Sequence, residues 1–251
     1  MRRNINFYVA VALFLATVFT SCKRNEGDGK FNPSITIFTA TSGMVTLKLA
    51  GEGNALIDWG QGEKIVEMKL SEYNNNDWVN EHAKFTRTNF FPVATTITVS
   101  QAKLSFFQCK SDNVNCISSL IIANDSLHTL HCYTFSLANL DLRSSPNLMF
   151  LHCFSNRLSS LDLSRNSNLE WVNCMRNQLT SLDLSNHQKL WMVICQNNNF
   201  SKEALNNLFG TLNNKLLPKA KIIYIGDNPG TAECDRSIAE AKGWEVLDYW
   251  Q

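Results

Sequence analysis

The chain has 251 residues, of which 44% are hydrophobic and 18% are charged. This apolar content is enough for a folded core, and the charge is too low for an intrinsically disordered chain. Lys and Arg total 23 against 22 for Asp and Glu, which argues against a nucleic-acid partner held through phosphate contacts. The length predicts two modest domains or one elongated repeat array.

The first 22 residues have the layout of a bacterial export signal. Two arginines precede an apolar run from Phe7 to Phe19, which is short for a membrane-spanning helix. Cys22 directly follows two small residues, and this ending resembles the lipobox of bacterial lipoproteins. The resemblance implies that Cys22 is acylated and becomes the N-terminus of the mature chain. Ordinary secretion and an uncleaved anchor are the alternatives, and all three place the body of the protein outside the cytoplasm.

We therefore expect residues 1–21 to be a signal peptide and residues 22–32, which are polar and contain glycine, to be a lipidated tether. The lipid would attach the protein to the outer membrane of the cell envelope. Whether the body then faces the periplasm or the cell surface is left open by the sequence.

Residues 33–101 contain short β-patterned segments separated by Gly and Asn, which predicts a small all-β sandwich domain. The predicted strands are 35–38, 44–49, 55–59, 64–68 and 95–99. Within this region, Ile57-Asp-Trp-Gly-Gln-Gly62 resembles the I-D-W-G-D-G turn of PKD-like domains. The resemblance implies a spacer or a contact module.

A 21-residue period organises the middle of the chain. Residues 148–164 match residues 169–185 at the repeated Leu, Cys, Asn and Asp positions, with Val172 in place of Leu151. A preceding copy has Phe135 at the Asn position, and a following copy begins at Leu190. A degenerate first copy starts at Leu104 if about three residues are inserted around 113–116.

The repeated pattern L-x-x-L-x-C-x-x-N-x-L-x-x-L-D-L-S resembles the leucine-rich repeat, in the 21-residue form common in lipoproteins of Bacteroidetes. The resemblance covers residues 104–200 and implies a parallel β-sheet on the concave face of a solenoid. The predicted fold class is therefore an α/β solenoid over residues 102–200, preceded by the β-sandwich. Physically, coils this small must stack so that their Leu rows form one core.

Particular repeat positions have specific expected roles. Asn156 and Asn177 lie where the chain must turn, and their amides can satisfy backbone groups that the bend leaves unpaired. Phe135 cannot do this, so its turn should be looser. The recurring Asp141, Asp162 and Asp183 are expected on the outer side of each coil, paired with turn backbone.

Residues 201–251 are predicted to be an α/β cap, because a stack exposes apolar ends unless something covers them. Ser201 is the expected N-cap of a helix whose apolar stripe runs from Ala204 to Leu212. A strand over 221–225, a turn, a helix from Thr231 to about 242 and a last strand from 244 should follow. This unit resembles the C-terminal closing unit of such repeats in Bacteroidetes.

The cysteines are expected to have a packing role. Cys132, Cys153, Cys174 and Cys195 recur with the repeat, so they should lie in the core as small hydrophobic residues. Export leaves seven cysteines beyond Cys22, and a Cys116–Cys234 bridge is compatible with this count without being indicated by it. His131 and His152 share a column without a third ligand, so no metal site is predicted.

The outward strand positions form the candidate binding surface, because large aromatic and Met side chains at solvent positions are typical of interfaces. The candidate residues are Phe106, Thr129, Phe150, Trp171, Met192, His131, His152, Asn173, Tyr133, Phe154 and Met175. The expected ligand is a protein, peptide or glycan. Permanent self-association as a homo-oligomer is an alternative, and a carbohydrate-active accessory protein is a weaker one. Phosphate-loop, nucleophile and metalloprotease motifs are absent from the sequence, so we expect neither catalysis nor a cofactor.

Overall fold

The computed structural model describes residues 35–39, 43–60, 64–70, 85–91, 95–113 and 116–249. All of them belong to one compact unit, Pro33–Gln251. The predicted signal peptide, Cys22 and the tether lie outside the described residues. Within the described part, none of the helices combines the length and the apolar character needed to cross a membrane.

The N-terminal part of the described chain consists of antiparallel strands. They are β1 (Ile35–Thr39), β2 (Gly43–Asp58), β3 (Val66–Lys69), β4 (Phe85–Phe91), β5 (Thr96–Ser111) and β6 (Ile117–Ile122). Strand β2 pairs with β3, β4 and β5, while β1 lies between β5 and β6. Alternate side chains of β1 and β2 are fully buried, as expected for strands with one face on a core.

The predicted break between residues 49 and 55 is wrong, because β2 continues through it. Two register shifts against β5 absorb the glycines there, which are bulges in one strand and not a turn between two. Gly51 is required at the first shift: it has φ +153°, and a Cβ atom would lie 2.1 Å from the carbonyl oxygen of Lys103. Strands β4 and β6 were not predicted.

Parallel strands follow, and the first four of them are 21 residues apart. They are β7 (Thr129–His131), β8 (Phe150–His152), β9 (Trp171–Asn173), β10 (Met192–Ile194), β11 (Lys221–Tyr224) and β12 (Trp244–Leu247). Each pairs in register with the next, so Leu130 aligns with Leu151 and Leu151 with Val172. The predicted solenoid with a parallel sheet is confirmed. Among the described residues it is mostly strand, and its helices, α1 (Lys202–Thr211) and α2 (Ser237–Glu240), lie after the repeats.

Strand β5 links the N-terminal strands to the solenoid. Its beginning pairs with β1, and further along Phe106–Gln108 pair in parallel with Thr129–His131. Strand β6 forms the other side of the coil that begins with the end of β5. Its Ile121 forms a parallel bridge with Asp141 of the next coil. The degenerate first copy is therefore a true coil. The predicted boundary between residues 101 and 102 falls inside β5, so the N-terminal strands and the repeats share one sheet.

The core is a stack of Leu and Cys rows. Leu130, Leu151 and Leu158 are completely buried, as are Cys132 and Cys153. Because each coil contributes the same positions, the buried side chains of successive coils form one continuous core.

A row of buried asparagines joins the coils at their turns. The Asn177 side-chain nitrogen donates to the carbonyl oxygens of Cys153 in the preceding coil and Cys174 in its own, both at 3.0 Å. Its side-chain oxygen accepts from the backbone N–H of Leu158 at 3.0 Å. Asn156 and Asn198 repeat this arrangement. The predicted role of these amides is confirmed, and three backbone groups are satisfied per turn.

The row extends into the cap, where Asn228 donates to the carbonyl oxygens of Cys195 and Ile225 at 3.1 and 2.7 Å. The residue before each of these turns has a left-handed backbone, with φ values of 54° to 57° at Ser155, Arg176, Asn197 and Asp227. Thr134, before Phe135, has φ 61°. The turn at Phe135 thus keeps the same conformation, with the ring buried, and the expected loosening is not seen.

The cap closes the C-terminal end of the stack. Ser201 is the N-cap of α1, since its side chain accepts from the Ala204 N–H at 3.2 Å, and the predicted stripe buries Leu205, Leu208 and Phe209. The Lys242 ammonium donates to carbonyl oxygens at the end of α1, which complements the helix dipole. The predicted helix from 231 to 242 is wrong in length: only α2 is helical, and turns occupy the rest.

We expect Asn177→Ala to lower the free energy of unfolding by about 2 kcal/mol. The change leaves the buried N–H of Leu158 without its acceptor, and such a group costs about 1–3 kcal/mol. The carbonyl oxygens of Cys153 and Cys174 each lose one of two donors and keep the bond from Asn156 or Asn198. Urea unfolding measures the effect. Gln178→Ala is the matched control: its side chain is exposed, and it should change stability by less than about 0.5 kcal/mol. Equal, small effects of both substitutions would contradict the role of the row.

Candidate functional site

The predicted binding residues lie on the outward face of the solenoid sheet. In each short strand the middle residue points into the core, so its two neighbours point outward. Leu130 and Leu151 are the middle residues of β7 and β8 and are completely buried. The parallel register aligns the outward residues of successive strands in columns, as the period predicts.

The expectation that these columns are open to solvent is wrong for five of the candidates. Phe106, Thr129, Phe150, Met192 and Asn173 are at most 8% exposed. The other six candidates are half-buried, and we call them the aromatic–histidine patch. The patch consists of His131, His152, Trp171, Tyr133, Phe154 and Met175.

Lateral ring packing accounts for much of the burial within the columns. Strands in a sheet are about 4.8 Å apart, which lies within the separation of about 4.5–7 Å between the centroids of packed aromatic rings. The His131 ring lies 5.1 Å from Phe106 and 4.5 Å from His152, both edge to face. Tyr133 stacks on Phe154 with centroids 4.4 Å apart and planes within 9°. Each ring therefore covers part of the next.

The ring series continues towards the cap. His152 lies 5.2 Å from Trp171, and Trp171 lies 5.5 Å from Trp191. Sequence reasoning did not select Trp191, which precedes the column residue Met192 by one position. The Lys219 ammonium lies 4.5 Å from the centroid of the Trp191 ring and 3.7 Å from Glu170, so a cation–π contact ends the series.

Burial keeps the two patch histidines neutral. It lowers the pKa of His131 to about 2, helped by His152 and by Lys110. It lowers the pKa of His152 to about 4. Near neutral pH both imidazoles are therefore uncharged, each with one N–H donor and one bare nitrogen. Gln108 donates to the Tyr133 hydroxyl at 2.6 Å and lies 3.5 Å from Nδ1 of His131.

The patch offers ring contacts and hydrogen bonds, and none of its six residues is a carboxylate. Among the residues that the structure describes, no group of three His, Cys, Asp or Glu side chains could hold a metal ion. Such an arrangement can bind a surface of matching shape.

The cysteines lie in the core, as predicted. Cys109, Cys132, Cys153, Cys174 and Cys195 are completely buried free thiols. Burial raises the pKa of each, to about 12 for Cys174, so they remain protonated and unreactive at neutral pH. The bridge between Cys116 and Cys234 does not form in this structure.

The recurring aspartates lie on the outer side of the coils, as predicted. The Asp162 side chain accepts from the backbone N–H of Ser164 at 3.0 Å, and Asp183 does the same for Ser185 at 2.9 Å. Asp141 also forms a 2.6 Å ion pair with the exposed Arg143. These bonds lower the pKa of all three carboxyl groups. Their role is to close turns.

The predicted PKD-like motif is described only in part. Asp58 accepts from the backbone N–H of Gly60 at 2.8 Å, and Trp59 is buried. Gln61 and Gly62 lie outside the described residues. The local turn is thus present, and the assignment to PKD-like domains stays a prediction.

Comparison with known proteins gives a limited result. No protein-family model matches the chain, and no curated protein matches it. Among solved structures, it is similar to the functional domain of InlJ from Listeria monocytogenes, described as including a cysteine ladder. The similarity has 21% sequence identity and a TM-score of 0.43, and it covers 53% of this chain and 27% of that chain.

Proposed function

We propose that this protein is a non-enzymatic cell-envelope lipoprotein that binds a protein, peptide or glycan through the aromatic–histidine patch. The observation that carries the proposal is a continuous series of half-buried rings on three successive strands, with no structural role at the turns or in the core. Large rings with partial exposure are enriched where proteins bind partners.

The arrangement of the rings supports binding with little loss of conformational entropy. His131, His152 and Trp171 are held by edge-to-face or tilted contacts, and Tyr133 is held by stacking on Phe154. Side chains that are already fixed before a partner arrives cost less to order in the complex. The neutral state of both histidines also means that contact with them requires no desolvation of a charge.

The lipid anchor is the second part of the proposal. Cys22 follows an apolar segment of the length typical of a signal peptide, and the polar residues 23–32 give a tether of suitable composition. Attached to the outer membrane, the solenoid would present its patch within reach of envelope components or of the exterior.

Replacing Trp171 and Phe154 with Ser tests the binding surface. Aromatic residues at the centre of an interface contribute about 2 kcal/mol each. The double variant should therefore lose roughly 1,000-fold in affinity for partners that the chain from residue 23 onward captures from envelope extract. Both side chains are half-buried, so the fold should be retained, as circular dichroism would show.

Ile65→Ser is the matched control, because Ile65 is 53% exposed in the N-terminal part. It removes an apolar side chain outside the patch and should leave capture unchanged. Capture that survives the double substitution would refute the assignment of this surface. A stable dimer in light scattering that the double variant disrupts would instead identify a second copy of the chain as the occupant of the patch.

Metabolic labelling with a palmitate analogue tests the anchor. We expect the full-length protein to incorporate the label and to fractionate with outer membranes, and Cys22→Ala to do neither, because the acylated sulfur is absent. Cys234→Ala is the control, since that thiol is partly exposed yet lies far from the signal in sequence. Label that persists in Cys22→Ala would rule out this anchor.

A further inference from the structure

A second row of buried polar residues runs through the coils. It consists of Ser145, Asn166, His187 and Asn213, all at most 5% exposed. The first three are 21 residues apart. Asn166 donates to the carbonyl oxygens of Leu142 and Ser145, at 3.0 and 2.8 Å. These bonds join one coil to the preceding one, as the first asparagine row does.

His187 occupies the last position of this row within the repeats. Its Nε2 lies 3.2 Å from the carbonyl oxygen of Leu163 in the preceding coil, so Nε2 carries the proton of the neutral ring. The carbonyl oxygen of His187 in turn accepts from the Asn213 side chain at 3.0 Å. His187 therefore connects the repeats with the segment that follows α1.

The other ring nitrogen of His187 has no hydrogen-bond partner. Nδ1 is buried and unpaired in the part of the chain that the structure describes. A protonated imidazole would carry a second N–H at this buried nitrogen, whereas an asparagine carries both donor hydrogens on a single nitrogen. The backbone of Leu184 and the Asp183 carboxylate favour the protonated ring, but burial disfavours it more strongly. The site as a whole therefore favours the neutral form.

His187 has polar or charged neighbours both in the repeats and on the side of the cap. It lines a cavity of about 110 Å³ together with Asp162 from the preceding coil and Asp183 from its own. On the cap side the neighbours are Asn213 and Thr211, whose hydroxyl accepts from the Leu184 N–H, and neither side chain titrates. Burial lowers the pKa of His187. The backbone groups of Leu184 and Leu163, and the Asp183 carboxylate, oppose this only in part.

We propose that His187 is an acid-sensitive latch between the repeats and the C-terminal cap. When the ring takes up a proton, the buried position becomes unfavourable for the charged ring, and the contacts through Asn213 and α1 loosen. The proposal does not depend on which ligand the aromatic–histidine patch binds.

The pH window follows from linkage. The unfolded histidine has an ordinary pKa near 6.5, and the folded pKa is lower. The stability that the neutral ring provides is therefore complete above pH 6.5. It is lost as the pH falls from there through the lowered folded pKa. The patch histidines His131 and His152 also favour the neutral form, so only a variant at position 187 isolates the latch.

His187→Asn in the full-length protein, purified in a mild detergent, tests the latch. Asn is the residue that the same row uses at positions 166 and 213, so the interior should accept it without a titrating group. Urea unfolding between pH 7.5 and 4.5 gives the protons taken up on unfolding. We expect the variant to take up fewer protons on unfolding between pH 6.5 and the lowered folded pKa. The difference can reach at most one proton, which corresponds to a tenfold change in the unfolding equilibrium constant per pH unit.

Hydrogen exchange locates the effect. At pH 5 the amides of α1, after correction for intrinsic exchange rates, should exchange faster in the wild type than in His187→Asn. At pH 7.5 the two proteins should exchange these amides at equal rates. His128→Asn is the matched control because His128 is exposed; it should behave as the wild type. Unchanged proton uptake in His187→Asn, or the same change in His128→Asn, would overturn the proposal.

An NMR titration of the wild type covers the case in which His187→Asn fails to fold. The His187 ring signals should remain those of a neutral imidazole at pH 6.5, titrating only at lower pH. Titration of this ring at or above pH 6.5 would show that the folded protein accepts the charged form, and the latch would not exist.

Discussion

The hydrogen bonds of the buried asparagine amides are the interaction on which the rest of the structure depends. A 21-residue coil has too little apolar surface to fold alone. Asn156, Asn177 and Asn198 each connect carbonyl groups of two successive coils, so each turn is completed only when its neighbour is in place. The left-handed residue before each turn costs free energy, and the amide bonds compensate for it.

The candidate binding surface is a consequence of this stacking. Because the turns fix the register between coils, the outward residues of β7, β8 and β9 fall into straight columns. The spacing between strands then brings the rings of neighbouring coils within 4.4 to 5.5 Å of one another. A shift of one residue in any coil would turn its rings into the core, so the surface exists only in the register that the asparagines set.

The sequence predicted the features that repeat. Leu, Cys and Asn recurring every 21 residues predicted the solenoid, the buried thiols and the amide role, since each follows from local spacing. The second polar row has the same period and could have been found, but Ser145, Asn166 and His187 differ in residue type, so the regularity is less visible. Asn228 was missed because the cap interrupts the period.

Features that depend on contacts distant in sequence were not predictable in this way. The continuity of β2 depends on its pairing with β5, which tolerates two bulges. Without knowledge of that pairing, the glycines in this segment favour a turn. The burial of Phe106 depends on the His131 ring, which the next coil contributes. The short α2 reflects tertiary contacts of the segment around it, including the Arg236–Asp248 ion pair, that outweigh local helix propensity.

Native-state hydrogen exchange of the amides bonded to the asparagine row is the most direct test of whether that row holds the coils together. The N–H groups of Leu137, Leu158 and Leu179 each donate to an asparagine oxygen of the next coil. We expect these amides to exchange only when the coils separate, and therefore to be among the slowest-exchanging amides of the repeats. Exchange as fast as that of Ser164, which donates to the exposed Asp162, would show that the amide row does not hold the stack together.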